Sequence, residues 1–208
     1  DNVGLSWSGY ADYKDMWTVD VFDIFNDSYG VEKNNISKEY IESSEKLNPS
    51  NRDNIIGIQS QIWSETIRNE DILDYMFMPN IIVFSQKAWS QDPEWMKISD
   101  KTKREFTLDY EWNKFTNTIG QRVLPIIDNI YGGLSYDLPK PGGIIKNDSL
   151  YANSVFPGLN IKYTLDGSLP DIESMNYNNP VKLNKDDVIN LRLFDDKGRG
   201  GYPIQVDK

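Results

Sequence analysis

Trp63 and Glu65 lie two residues apart at the end of a short apolar run formed by Ile55, Ile56, Ile58 and Ile62. On a β-strand the two side chains would leave the backbone on the same side, because alternate residues share a face. An indole beside a carboxylate on one wall suits a sugar ring. The flat aromatic face takes the C–H surface, and the carboxylate accepts hydrogen bonds from hydroxyls. A helix is expected to begin near Asn69. A buried strand that ends in Trp-x-Glu and feeds a helix is how a (β/α) barrel presents site residues at its C-terminal rim. The other reading of the same residues is a core Trp followed by a surface Glu. The aromatic-plus-carboxylate spacing recurs upstream as Tyr10-x-Asp12 and Tyr13-x-Asp15.

Composition narrows the chemistry around these residues. The chain has 208 residues, 38% of them hydrophobic and 12% aromatic, enough for one large domain or two small ones. With 32 acidic and 22 basic residues its formal charge is -10, which disfavours a nucleic-acid partner, since phosphate binding needs a basic stripe. No stretch has the apolar length of a membrane span, and the mean hydropathy is -0.59. There is no Cys, which removes disulfides, thiolate metal sites and thiol nucleophiles. There is also no His, the usual general base and the commonest metal ligand. No metal site and no cofactor are expected, so catalysis falls to carboxylates, Tyr, Lys or the substrate itself. The opening residues Asp1-Asn2-Val3-Gly4-Leu5 lack the basic start and apolar core of a signal peptide, and read as the middle of something larger.

The elements that position these residues follow from periodicity. Val3 to Trp7 reads as a short strand. Residues 26–54 are polar and broken by Asn, Ser and Pro, with a short helix expected from Ser37 to about Leu47, capped by Ser37. Asn69 to Trp89 reads as helical, split by Pro79. Leu108, Trp112, Phe115, Ile119, Val123 and Ile126 recur every three or four residues as one apolar stripe. Trp89, Trp95 and Trp112 are expected to be core or helix-packing residues. The stretch Leu138-Pro139-Lys140-Pro141-Gly142-Gly143 has the composition of a linker. Short strands are expected after it, at 150–153, 159–164, 181–183, 188–194 and 204–206, separated by turns such as Asp166-Gly167 and Lys197-Gly198. They read as a small antiparallel sandwich that should fold alone from Leu138 to Lys208.

Gly57-x-x-x-Gln61-x-Trp63-Ser64-Glu65-Thr66, with Asp74-Tyr75-Met76-x-x-Pro79 and Ala88-Trp89-Ser90, resembles the eighth strand and helix of family 20 glycoside hydrolases. These are exo-acting β-N-acetylhexosaminidases, and bacterial chitobiases have the closest pattern. Tyr163-Thr164-Leu165-Asp166-Gly167-Ser168-x-Pro170 resembles the immunoglobulin-like domain at the C-terminus of chitobiases. The resemblance implies α/β plus all-β architecture. Residues 1–136 would be the C-terminal part of a TIM (β/α)8 barrel, about strands seven and eight, and 137–208 an immunoglobulin-like sandwich.

The same resemblance implies that Trp63 forms a wall of the pocket around a terminal N-acetyl sugar, and that Glu65 binds its O4 and O6 hydroxyls. Tyr13 and Asp15 resemble the Tyr-x-Asp that ends strand seven, so Tyr13 would bind the acetamide carbonyl and Asp15 would help hold the sugar. Tyr10 and Asp12 are the alternative register. Trp17 stands near the place of a Trp that stacks on the next sugar outward, and packing beneath Val21 to Phe25 is its other reading. A secreted, periplasmic or cell-surface bacterial location is expected in preference to the cytoplasm.

Family 20 enzymes use an adjacent Asp-Glu pair: the Glu protonates the leaving oxygen, and the Asp orients the acetamide. The acetamide oxygen attacks C1 and gives an oxazolinium ion that water opens with retention. No Asp-Glu dipeptide occurs in this chain. A full barrel also needs ~250 residues. The expected partners are therefore an N-acetylhexosamine-containing oligosaccharide and the N-terminal remainder of the same enzyme. Two other readings stay open: a non-catalytic carbohydrate-binding or structural module, and a stand-alone protein that kept half a barrel.

Overall fold

The computed structural model describes residues 12–23, 25 and 35–207. Its chain divides into two compact units, residues 1–112 and 113–208. The strand expected at Val3 to Trp7 lies outside the described residues.

In the first unit the described elements are helical. Asp12 caps α1 (Tyr13–Thr18), its carboxylate accepting from the amides of Lys14 and Asp15 at 2.8 and 3.2 Å. Ser37 caps α2 (Lys38–Ser43) as expected, but the helix stops at Ser43. There the hydroxyls of Ser43 and Ser44 both bond the Tyr40 carbonyl, offering the backbone an alternative to another helical turn. A 3-10 turn, Pro49–Asn54, leads to the apolar run. Asn69 then caps α3 (Glu70–Phe77), accepting from the Ile72 amide at 2.9 Å. Pro79, fully buried, separates α3 from α4 (Asn80–Trp89), which packs against α1. After another 3-10 turn (Glu94–Lys97), α5 runs from Lys101 to Thr118, and the division between units falls within it.

Two expected strands are not found in this unit. Residues 13–18 are helical, and Ile55 to Ser64 carries no ladder. Ile55 itself has strand-like torsions (φ -89°, ψ 102°). A strand is defined by the neighbour that shares its hydrogen bonds, and none stands beside this run among the described residues. Trp89 departs from expectation as well: it is 90% exposed at the last position of α4. Trp95 and Trp112 are buried as expected, packing on Trp17 with ring centroids 6.2 and 5.4 Å away.

The apolar stripe of α5 continues into the second unit and then shifts. Leu108, Trp112 and Ile119 are buried, but Ile126 is exposed, and Leu124 and Ile127 fill the core instead. A π-helical turn, Ile119–Val123, precedes α6 (Leu124–Ile127). The extra residue in that turn moves the inward face by about one position. The turn sits at Gly120, where a Cβ would come 2.0 Å from the Pro157 carbonyl oxygen, so the helix can pass this loop only without a side chain.

The second unit is built on two antiparallel sheets. One has the order β1 (Gly142–Lys146), β2 (Ser149–Asn153), β5 (Val181–Lys182). The other has the order β4 (Met175–Asn176), β3 (Asn160–Thr164), β6 (Ile189–Phe194), β7 (Ile204–Val206). Leu150, Tyr163, Leu183, Ile189, Leu191 and Val206 share one core drawn from both sheets. The glycines read as linker turn out to open β1. A Cβ on Gly143 would meet Leu191 and Val206 at 2.7 Å, so glycine lets this strand press onto the core.

A buried polar network ties the segment after α6 to the sheets. Asp195 is 2% exposed and accepts from the amides of Lys197 and Arg199 at 2.9 and 2.8 Å. The Arg199 guanidinium pairs with both Asp195 and Asp128, and donates to the Leu134 carbonyl at 2.9 Å. Tyr136 donates to Asp128 at 3.1 Å. Burial, then the charges of Asp195 and Asp128, push the Tyr136 phenol well above its ordinary value. Burial opposes the charge on Arg199, and its carboxylate partners more than offset this, so its affinity for the proton is raised.

Candidate functional site

The apolar run that ends in Trp63 lies on the helices of the first unit. A cavity of about 300 Å³ is lined by Met16 and Val19 from α1 and the residues after it, by Ile55, Gly57 and Ile58 from the run, and by Phe84 and Lys87 from α4. The cavity lies behind the run, and neither Trp63 nor Glu65 lines it. The two side chains of interest instead stand outward. Trp63 is 54% exposed, and Glu65 is exposed too.

Their relation differs from the one expected on a strand. The extended stretch ends at Ser64, and Glu65 and Thr66 form a turn closed by the Ile67 amide donating to the Ser64 carbonyl at 3.1 Å. Strand alternation therefore does not relate Trp63 to Glu65. Thr66 continues toward α3, its hydroxyl 3.8 Å from the Met76 sulfur. An extended stretch, a turn holding the carboxylate and a capped helix follow one another here.

The upstream candidates are placed differently. Tyr13 and Asp15 belong to α1, where residues two apart point about 200° from each other, so they do not share a face. Trp17 is 8% exposed in the cluster with Trp95 and Trp112, so its ring is covered by protein. Its ring packs against Trp95 and Trp112. Of the alternative register, Tyr10 lies outside the described residues and Asp12 caps α1. Among the described residues no group of three or more acidic side chains converges as a metal site.

Sequence reasoning did not single out Arg104. Its guanidinium lies over the Trp95 ring, the carbon 5.3 Å from the centroid. A lone Arg on a polar helix surface carries no signal of such a contact.

Family comparisons agree with both halves of the chain. Residues 7–92 match the glycosyl hydrolase family 20 catalytic domain, and residues 124–201 match the chitobiase/beta-hexosaminidase C-terminal domain. Successive segments of the chain are thus similar to part of a family 20 catalytic domain and to the C-terminal domain of the hexosaminidases. Among individual proteins, it is 32% identical over 120 residues to the N,N'-diacetylchitobiase of Vibrio harveyi, covering 53% of this chain and 13% of that protein. It is 28% identical over 168 residues to the beta-hexosaminidase of Vibrio vulnificus, covering 73% of this chain and 19% of that protein. The chain therefore spans less than a fifth of the length of these relatives.

Proposed function

We propose that this chain is the C-terminal part of an exo-acting β-N-acetylhexosaminidase that releases terminal N-acetylhexosamine from chitooligosaccharides or glycans. The chain supplies sugar-binding residues, and the general acid lies elsewhere in the enzyme. The observation that carries this is the exposed Trp63 with Glu65 two residues on, at the end of the extended run and inside the stretch matched by the family 20 catalytic domain. The Trp63 face stacks on the terminal sugar, and Glu65 accepts hydroxyl hydrogen bonds. For the acetamide side the candidates are Tyr13 with Asp15 and, in the alternative register, Tyr10 with Asp12; α1 turns Tyr13 and Asp15 to different faces, and the Asp12 carboxylate caps that helix. The reaction runs with retention, the substrate's acetamide oxygen acting as nucleophile.

The rest of the barrel, supplied by the preceding part of the enzyme, completes the pocket and pairs with the Ile55 to Ser64 run. The second unit is an immunoglobulin-like brace. In the sandwich Phe156, Tyr163 and Phe194 are buried, and the exposed Tyr151 and Tyr202 lie on separate segments, which argues against a separate carbohydrate-binding role. Among the described residues no helix is long and apolar enough to cross a membrane, and an extracytoplasmic bacterial location fits a polymeric sugar substrate. The test is hydrolysis of an aryl N-acetyl-β-glucosaminide. The complete enzyme should turn it over and this chain alone should not. Turnover by the chain alone, abolished by Glu65→Gln, would place the chemistry here instead.

A further inference from the structure

Next to Trp17 of α1, two neighbouring side chains, Trp95 and Arg104, present buried hydrogen-bond donors with no acceptor among the described residues. Trp95 is fully buried, and its indole N–H meets no acceptor among the described residues. Arg104, one turn into α5, has its Nε and Nη2 atoms buried and likewise without an acceptor. Stacking on Trp95 sets its guanidinium 5.3 Å from the ring centroid.

The chemistry of these groups restricts what can complete them. An indole nitrogen donates only, and so does a guanidinium, so neither can satisfy the other in any rotamer. Nε–H and Nη2–H form the parallel edge of the guanidinium that grips a carboxylate through two N–H···O bonds. Buried donors in folded proteins find partners, and a buried charge is matched by an opposite one. The third donor belongs to Trp95, the ring on which that guanidinium lies. A carboxylate offers about four acceptor positions on two oxygens, which suits the two parallel N–H groups of the guanidinium and leaves capacity for a third donor better than a single carbonyl does.

We propose that Arg104 and Trp95 form a buried carboxylate-binding site in the first unit, filled either by a small free carboxylate or by an acidic side chain from elsewhere in the complete protein. The site is independent of the sugar-binding assignment, which concerns different residues and is read by hydrolysis.

Substitutions in the complete protein test it, with thermal unfolding and the Trp95 indole N–H resonance as readouts. Sodium acetate is compared with sodium chloride at equal ionic strength. For a free carboxylate, acetate alone shifts the indole resonance and raises Tm, Arg104→Met abolishes the response, and Trp95→Phe weakens it about tenfold. For an acidic side chain, acetate has no effect and Arg104→Met lowers the folding equilibrium constant at least tenfold, because it strands a buried carboxylate. The sign of that change is decisive. If acetate has no effect and Arg104→Met leaves stability unchanged or higher, the guanidinium has no carboxylate partner and the proposal fails.

Discussion

The two units of this chain differ in how their apolar residues are covered. In the second unit Leu150, Ile189, Leu191 and Leu193 are at most 1% exposed, enclosed by two ladders and a network centred on Arg199. In the first unit Ile56 is fully exposed, Trp89 is 90% exposed, and the run meant to present Trp63 has no strand beside it among the described residues. The second closes its own core by pairing strands it supplies itself, including strands distant in sequence such as β2 with β5 and β3 with β6. The first offers helices that pack on each other and a run, Ile55 to Ser64, with no ladder partner among the described residues. Under the proposed function, a sugar pocket at this run would be completed by the rest of the enzyme.

The largest effect should come from the shared buried charge of the second unit. Arg199→Ala removes the guanidinium that pairs with both Asp195 and Asp128, leaving only the Lys197 ammonium, on the Asp128 carbonyl, nearby; breaking a buried pair costs about 3–5 kcal/mol. Arg199 is itself 36% exposed, so the lower end, about 3 kcal/mol, is expected in thermal unfolding of residues 113–208. A loss under 1 kcal/mol would mean that the network is decoration on a core that stands without it. Gly120→Ala should cost about as much, since the Pro157 backbone must move to admit a methyl group.

Truncation sharpens the comparison next. Residues 113–208 should unfold cooperatively, whereas 138–208, without Asp128, Leu134 and Tyr136, should melt at a lower temperature or lack a transition. Residues 1 to about 130, an approximate limit set by turn signals, should show no cooperative transition as a monomer. Equal melting of the two C-terminal pieces would remove the network from the account. A sharp transition in the N-terminal piece would mean that the first unit closes its own core.

A smaller, pH-dependent effect follows from Tyr136. Its pKa is raised in the folded state above the ordinary 10.0, so folding favours the protonated phenol. That stability is fully present below about pH 10 and is lost as pH rises toward the folded value. Residues 113–208 should therefore lose stability above about pH 10 more steeply than the Tyr136→Phe variant. Identical alkaline curves would show that the phenol is not buried against those carboxylates.

Much of the second unit was legible from sequence, because alternation and turn residues mark each strand. Ile189, Leu191 and Leu193 point inward as their spacing predicts. What was hidden there depended on contacts across the fold. Gly142 and Gly143 have linker composition, yet they open β1, where Gly143 fits against Leu191 and Val206 and Gly142 against Asn153. The exposure of Ile126 could not be read from a regular period, since a π turn at Gly120 interrupts it. In the first unit the helix starts at Asn69 and the break at Pro79 were readable as local chemistry. The Tyr-x-Asp pair was not: the spacing fits a strand, but Asp12 caps a helix that carries Tyr13 and Asp15 apart.

The central claim is that Glu65 binds sugar without moving a proton, and a pH-rate profile of Glu65→Gln in the complete enzyme tests it most directly. The substitution keeps shape and replaces a charged acceptor with a neutral amide. Loss of a hydrogen bond to a charged group costs roughly 1.5–3 kcal/mol. That corresponds to a fall of about ten- to a hundredfold in kcat/KM. Both limbs of the profile should stay where they are in the unsubstituted enzyme, and Trp63→Ala should reduce kcat/KM at least as much. Disappearance of the basic limb in Glu65→Gln would make Glu65 the proton donor and contradict the account.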